Sequence, residues 1–174
     1  MTPSGQPESP VSGSCVSPTY ALRRDMFVEL LNSHGFRGKF DLVYMPIDFK
    51  TSQPIGYAFV NAVDPDSALH LFRVFEGFRS WPAKSPKTCS VSWGGRQGLQ
   101  SNVRVYRNLA VMKQSAPEAW KPALFLQGDM VRFPAPTRRL KRSHKQHGTI
   151  GSNVAGSWSS PAEMDGDGSS RLDQ

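Results

Sequence analysis

Two aromatic residues, Tyr57 and Phe59, lie two positions apart in the stretch IGYAFVNA (residues 55–62). Side chains in a β-strand alternate between its two faces, so both rings would lie on one face and the small residues between them on the other. Paired rings on an exposed sheet face suit the stacking of single-stranded nucleic acid bases, which contributes about 1–3 kcal/mol per base. The spacing therefore predicts a base-stacking platform.

The same stretch matches an RNA-binding octapeptide, K/R-G-F/Y-G/A-F-V-x-F/Y, from Gly56 to Val60. It departs at both ends, because Ile55 replaces the basic residue and Ala62 replaces the last aromatic. We therefore expect a weak phosphate contact at that end, compensated by basic residues elsewhere on the sheet rim. The predicted RNA-binding residues are Tyr57, Phe59, Tyr44, Lys50, Arg37 and Lys39.

A second interpretation stays open beside this one. The two rings could be covered, either by the segment that follows Trp93 or by another protein. The domain would then be a protein-interaction module that binds its partner through the sheet or through that segment. Salt distinguishes the two, because RNA binding weakens steeply with salt and an apolar interface responds little.

Hydrophobic periodicity predicts the elements that position these rings. Asp64 and Pro65 are typical of a helix start, as the N-cap and the first helical position. A stripe of Leu99, Val103 and Tyr106 predicts a further helix near the end of the domain. The predicted order is helix (about 22–31), strand (39–47), strand (55–62), helix (from 64), strand (88–93) and helix (about 97–108).

Composition sets the boundaries of the domain. The chain has 174 residues, 38% of them hydrophobic, with 15 Gly and 14 Pro, so we expect one folded core between disordered ends. The predicted parts are a disordered leader (1–18), a domain with its C-terminal extension (19–126), and a basic, then Gly/Ser-rich disordered tail (127–174). The net charge of +7 favours a polyanionic partner. No apolar run is long enough to suggest a membrane span.

Sequence motifs of enzymes are absent. No Walker loop, nucleophile elbow or HExxH occurs, and the spacing of Cys15 and Cys89 fits no zinc site. We therefore predict a protein that is not an enzyme and has no catalytic residues, no metal site and no cofactor. The basic run TRRLKRSHKQH (137–147) is either a nuclear localisation signal, a phosphate-binding arm or a solvated tail.

Four segments carry a family resemblance: HGFRGKFD (34–41), PIDF (46–49), GYAFVN (56–61) and YRN (106–108). With the residues around them, about 20–125, they resemble the C-terminal RNA recognition motif of the Mei-two-like family of meiosis and differentiation regulators. The resemblance implies an α+β, ferredoxin-like fold: a four-stranded antiparallel sheet backed by two helices, here with an extra C-terminal helix. It also implies single-stranded RNA as partner and a location in the nucleus, the cytoplasm or both.

One departure from the family concerns the strand that precedes the first helix, which would be central in the sheet and supply another stacking aromatic. Here the corresponding segment, SPVSGSCVSPT (9–19), contains no aromatic residue and few apolar ones. We therefore expect the first strand to be missing or degenerate. Either GSCVS (13–17) forms a short substitute, or the sheet has an open edge where its centre should be.

Overall fold

Six strands form one antiparallel sheet, and two helices pack against one of its faces. The computed structural model describes residues 12–16, 22–83 and 85–140. Two short 3-10 helices, Ala110–Met112 and Glu118–Trp120, follow the last α-helix. In chain order the other elements are β1 (Ser12–Val16), α1 (Arg24–Ser33), β2 (Phe40–Tyr44), β3 (Ile47–Asp48), β4 (Gln53–Pro54), β5 (Tyr57–Ala62), α2 (Pro65–Phe75), β6 (Ser90–Trp93), α3 (Leu99–Tyr106), β7 (Ala123–Leu126) and β8 (Asp129–Val131).

The order of strands in the sheet is β6-β1-β5-β2-β7-β8, and the predicted α+β class is confirmed. Strand β1 lies inside the sheet between β6 and β5, where Ser14 is opposite Phe59 of β5 on one side and Ser92 of β6 on the other. Of the two arrangements left open by the sequence, the structure has the short substitute strand. In this interior position β1 pairs with the backbone groups of both neighbouring strands. This pairing does not require strongly apolar residues in β1.

The sheet extends beyond both boundaries that composition predicts. Strand β1 lies inside the expected leader, and β8 lies inside the expected tail. The apolar segment after Pro122 packs back onto the domain as the hairpin β7–β8, in which Leu124 pairs with Leu42 of β2. Residues 1–11, 17–18 and 141–174 of the expected leader and tail lie outside the described residues.

The main core lies between the sheet and helices α1 and α2. Ala58 and Val60 of β5 are buried on this face, as the alternation predicts. Phe75, at the end of α2, is fully buried, with ring contacts to four aromatic neighbours: Phe27, His34, Phe36 and Phe78. No helix among the described residues is long and apolar enough to cross a membrane.

The start of α2 confirms the predicted N-cap. The Asp64 carboxylate accepts hydrogen bonds from the backbone N–H of Ser67 at 2.7 Å and from the Ser67 hydroxyl at 2.9 Å. These bonds, led by the one from the backbone N–H, hold the pKa of Asp64 below its ordinary value. Pro65 takes the first helical position, where no backbone donor is needed. Strand β5 is thereby followed directly by the helix that covers its inner face.

Candidate nucleic-acid interface

Tyr57 and Phe59 lie side by side on the outer face of the sheet, opposite the main core. Their ring centroids are 5.4 Å apart in an edge-to-face arrangement, and both side chains are half-buried. The alternation along β5 therefore places the two rings as the sequence predicts. Strand β1 has the sequence SGSCV, so it contributes no third aromatic to this face.

Helix α3 covers the other half of the outer face, over β2 and β7. The Tyr106 ring centroid lies 5.0 Å from that of Tyr44 and 6.2 Å from that of Phe59. Tyr44 and Tyr106 are each only 4% exposed. A second apolar cluster forms around them and includes Leu42, Val111, Leu124, Leu99, Val103 and Trp120. The predicted base contact through Tyr44 is therefore blocked while α3 stays in place, and the open part of the face is centred on Tyr57.

The tyrosines of this face are uncharged at neutral pH. Burial raises the pKa of Tyr44, Tyr57 and Tyr106 above the ordinary phenol value. The pKa of Tyr44 is raised further by its proximity to Tyr106. None of the three rings therefore places a negative charge where phosphates would approach.

A buried polar network fixes α3 on the sheet. The Asn102 side-chain amide in α3 donates to Oδ1 of Asn61 in β5 at 3.3 Å, and the Asn61 amide donates to Oδ1 of Asp41 at 2.7 Å. A bulge in β2 between Phe40 and Leu42 places Asp41 as the extra residue of this pairing. Sequence analysis missed this network, whose only signal was a polar residue on the aromatic face of a strand.

Asp41 gives this network a pH dependence. Burial raises the pKa of Asp41 above its ordinary value of 3.8, so the folded state binds this proton more readily than the unfolded chain does. Its contribution to the free energy of unfolding therefore decreases as pH rises from 3.8 through the folded-state pKa. We expect Asp41→Asn, which keeps an acceptor oxygen for Asn61, to be more stable relative to wild type at about pH 7 than at about pH 3.5. Urea unfolding at both pH values measures this, and an equal stability difference at the two pH values would contradict it.

The predicted basic residues lie at opposite ends of β5. Lys50 is in the turn between β3 and β4, which joins β2 to the Tyr57 end of β5. Arg37 and Lys39 precede Phe40, which pairs with Ala62 at the other end of β5. Ala62 lies about 17 Å from Tyr57 along the strand. Arg37 forms an ion pair with Asp129 at 2.7 Å, and the Lys39 ammonium lies 6.0 Å from the Phe36 ring centroid. The structure therefore brings only Lys50 to the end of the sheet where Tyr57 lies.

Comparison with known proteins identifies relatives of this domain. The family model for RNA recognition motif 2 matches residues 18–107. Protein MEI2-like 3 of Oryza sativa subsp. japonica is 29% identical over 120 residues, which are 66% of this chain and 12% of that protein. Meiosis protein mei2 of Schizosaccharomyces pombe is 30% identical over 132 residues, which are 72% of this chain and 17% of that protein. The chain thus spans only a small part of these relatives, and the resemblance to the Mei-two-like family is confirmed.

Solved structures that are similar to part of this chain include two complexes with RNA. "Structure of Rna15 RRM with bound RNA (GU)" aligns with a TM-score of 0.43 at 17% identity, covering 52% of this chain and 88% of that one. "SXL-LETHAL PROTEIN/RNA COMPLEX" aligns with a TM-score of 0.41 at 18% identity, covering 53% of each chain.

Proposed function

This chain belongs to the RNA recognition motif 2 family, and from that premise we propose that it binds single-stranded RNA on the outer face of its sheet. The family is a class of binding domains rather than enzymes, so the proposed activity is equilibrium binding. A location in the nucleus or the cytoplasm is part of the proposal. The much longer relatives include a protein named for meiosis. A role of this chain in meiosis is part of the same proposal.

The observation that carries the proposal is the pair of half-exposed rings on β5. The ring centroids of Tyr57 and Phe59 are 5.4 Å apart on a face that the described residues do not fully cover. Leaving two large rings partly in contact with water costs hydrophobic free energy, and a stacked base recovers it by covering the ring. In the proposed complex one base stacks on Tyr57 and a second contacts Phe59.

Helix α3 limits how far the RNA extends across the sheet. It packs through Tyr106 on the rings of Tyr44 and Phe59. The strand order β6-β1-β5 leaves the RNA a path on the other side of Tyr57, over β1 and β6. We therefore place the bound strand across β5, β1 and β6, with contact to Tyr44 only if α3 is displaced. The rival protein-interaction function has no specific observation in its favour.

The test is a titration of the full chain with a fluorescently labelled single-stranded RNA of one arbitrary, defined sequence. We expect saturable binding that weakens steeply as the salt concentration rises from about 50 to about 200 mM, because phosphate contacts release counterions. The same RNA annealed to its complement serves as the control, because paired bases cannot stack on the rings. Absence of binding at the lower salt concentration, or equal affinity for the duplex, would overturn the proposed function.

A further inference from the structure

Arg96 lies in the loop that connects β6 to α3, within the segment GGRQG (94–98). The loop ends at Gly98, whose φ of 82° is in the left-handed region that favours glycine. This turn directs the chain from β6, two strands from β5, back across the outer face as α3. Arg96 therefore lies just before the first turn of α3, three residues ahead of Leu99.

The guanidinium of Arg96 is poorly satisfied within the domain. Its Nε is buried and has no hydrogen-bond acceptor among the described residues. One terminal nitrogen, Nη1, donates to the Ser101 hydroxyl at a long 3.4 Å. No carboxylate forms an ion pair with it in the part of the chain that the structure describes.

Arg24 and Arg107 are arginines with a structural role in this protein, because each donates hydrogen bonds to a distant segment. Arg24 donates to the carbonyl oxygens of Glu118 and Lys121 at 2.9 and 2.7 Å and pairs with Asp25 at 3.0 Å. Arg107 donates through Nε to the carbonyl oxygen of Ala135 at 2.8 Å. Both hold distant segments together, whereas the hydrogen-bond partner of Arg96 among the described residues is Ser101, only five residues away. A purely structural role therefore explains Arg96 poorly.

The surroundings of Arg96 connect it to the stacking rings. Burial raises the pKa of Tyr106, and the nearby positive charge of Arg96 opposes that increase. The helix that starts just after Arg96 contacts Phe59 through Tyr106, whose ring centroid lies 6.2 Å from that of Phe59. Arg96 and Phe59 therefore both neighbour Tyr106.

We propose that Arg96 binds a phosphate of the RNA strand whose bases stack on Tyr57 and Phe59. This inference rests on the proposed function. It supplies the cation that the octapeptide lacks at Ile55, from a different part of the chain. A guanidinium suits the task because its planar set of donors fits phosphate oxygens in pairs. Bound phosphate would also give the charge of Arg96 the anionic partner that it lacks among the described carboxylates.

The experiment compares Arg96→Ala with Arg104→Ala, a matched control that removes an exposed arginine from α3. We expect Arg96→Ala to weaken RNA binding about tenfold, since a charge-assisted contact is lost. The slope of log affinity against log salt should also decrease by about 0.7, the value for one phosphate contact on a single strand. Arg104→Ala should change both quantities much less. Arg96→Lys, which keeps the charge but not the planar fork, should retain most of the salt slope.

The salt slope separates this role from a structural one, because loss of packing alone leaves the number of phosphate contacts unchanged. Urea unfolding of each variant shows whether the domain stays folded. If Arg96→Ala unfolds, two other variants test the inference. The salt slope of the folded Arg96→Lys variant is then compared with that of an Arg96→Gln variant. If the wild type binds RNA but the neutral Arg96 variants show an unchanged salt slope, this inference is overturned and the proposed function stands. Absence of wild-type binding overturns both.

Discussion

Replacing both Tyr57 and Phe59 by alanine is expected to weaken the binding of single-stranded RNA by about 30-fold or more. Each ring contributes about 1–3 kcal/mol through stacking, so the loss of two rings removes at least about 2 kcal/mol. The main core between the sheet and helices α1 and α2 should tolerate the change, because both side chains lie on the outer face and are only half-buried. Fluorescence anisotropy with labelled RNA at fixed salt measures the difference in affinity.

Two further variants make this result specific to the rings. Tyr57→Phe keeps the aromatic face and should bind RNA nearly as well as wild type. Leu126→Ala removes an apolar side chain that is 66% exposed on β7, away from the aromatic pair, and should also leave affinity unchanged. If the double alanine variant binds RNA as tightly as Leu126→Ala does, base stacking on these rings is wrong as the mechanism.

Phe75→Ala is expected to lower the free energy of unfolding by about 3–5 kcal/mol. Phe75 is 0% exposed and lies in the main core, with its ring centroid 5.2 Å from that of Phe78 and 5.9 Å from that of Phe36. Alanine would leave a cavity that four surrounding rings are too rigid to fill. The loss is a large fraction of the about 5–15 kcal/mol that stabilises a typical domain. Urea unfolding followed by tryptophan fluorescence measures it.

Leu69→Ala on the same helix provides the matched control. Leu69 is exposed at the surface of α2, so its truncation changes helix propensity little and removes no core contact. Phe75→Leu should fall between the two, since leucine refills part of the volume. A loss at Phe75→Ala no larger than that at Leu69→Ala would show that this aromatic cluster does not hold the domain together.

Local patterns predicted much of this protein correctly. The alternation in β5 separated Ala58 and Val60 from Tyr57 and Phe59, and both pairs lie where it placed them. The N-cap at Asp64 and the helix after Trp93 follow from residues within one or two turns of each other. The family resemblance rests on short motifs of the same kind, and the match to RNA recognition motif 2 confirms it.

The predictions that needed distances across the fold were less complete. Composition assigned Ser12–Val16 to a leader, because a strand of small residues has no strong pattern of its own. Its place in the sheet comes from the unpaired backbone groups of β5 and β6, which are separated from it by more than 40 residues. In the same way, Lys50, Arg37 and Lys39 are close in sequence but lie at two ends of the sheet.

The sequence by itself determined the fold class, the pair of rings and the face on which they lie, because strand periodicity depends only on neighbouring residues. The tertiary structure alone decided how much of that face stays open. Helix α3 covers Tyr44 through Tyr106 and is held by the bond between Asn102 and Asn61, a contact across 41 residues. Such contacts depend on how elements pack together, which no local pattern encodes.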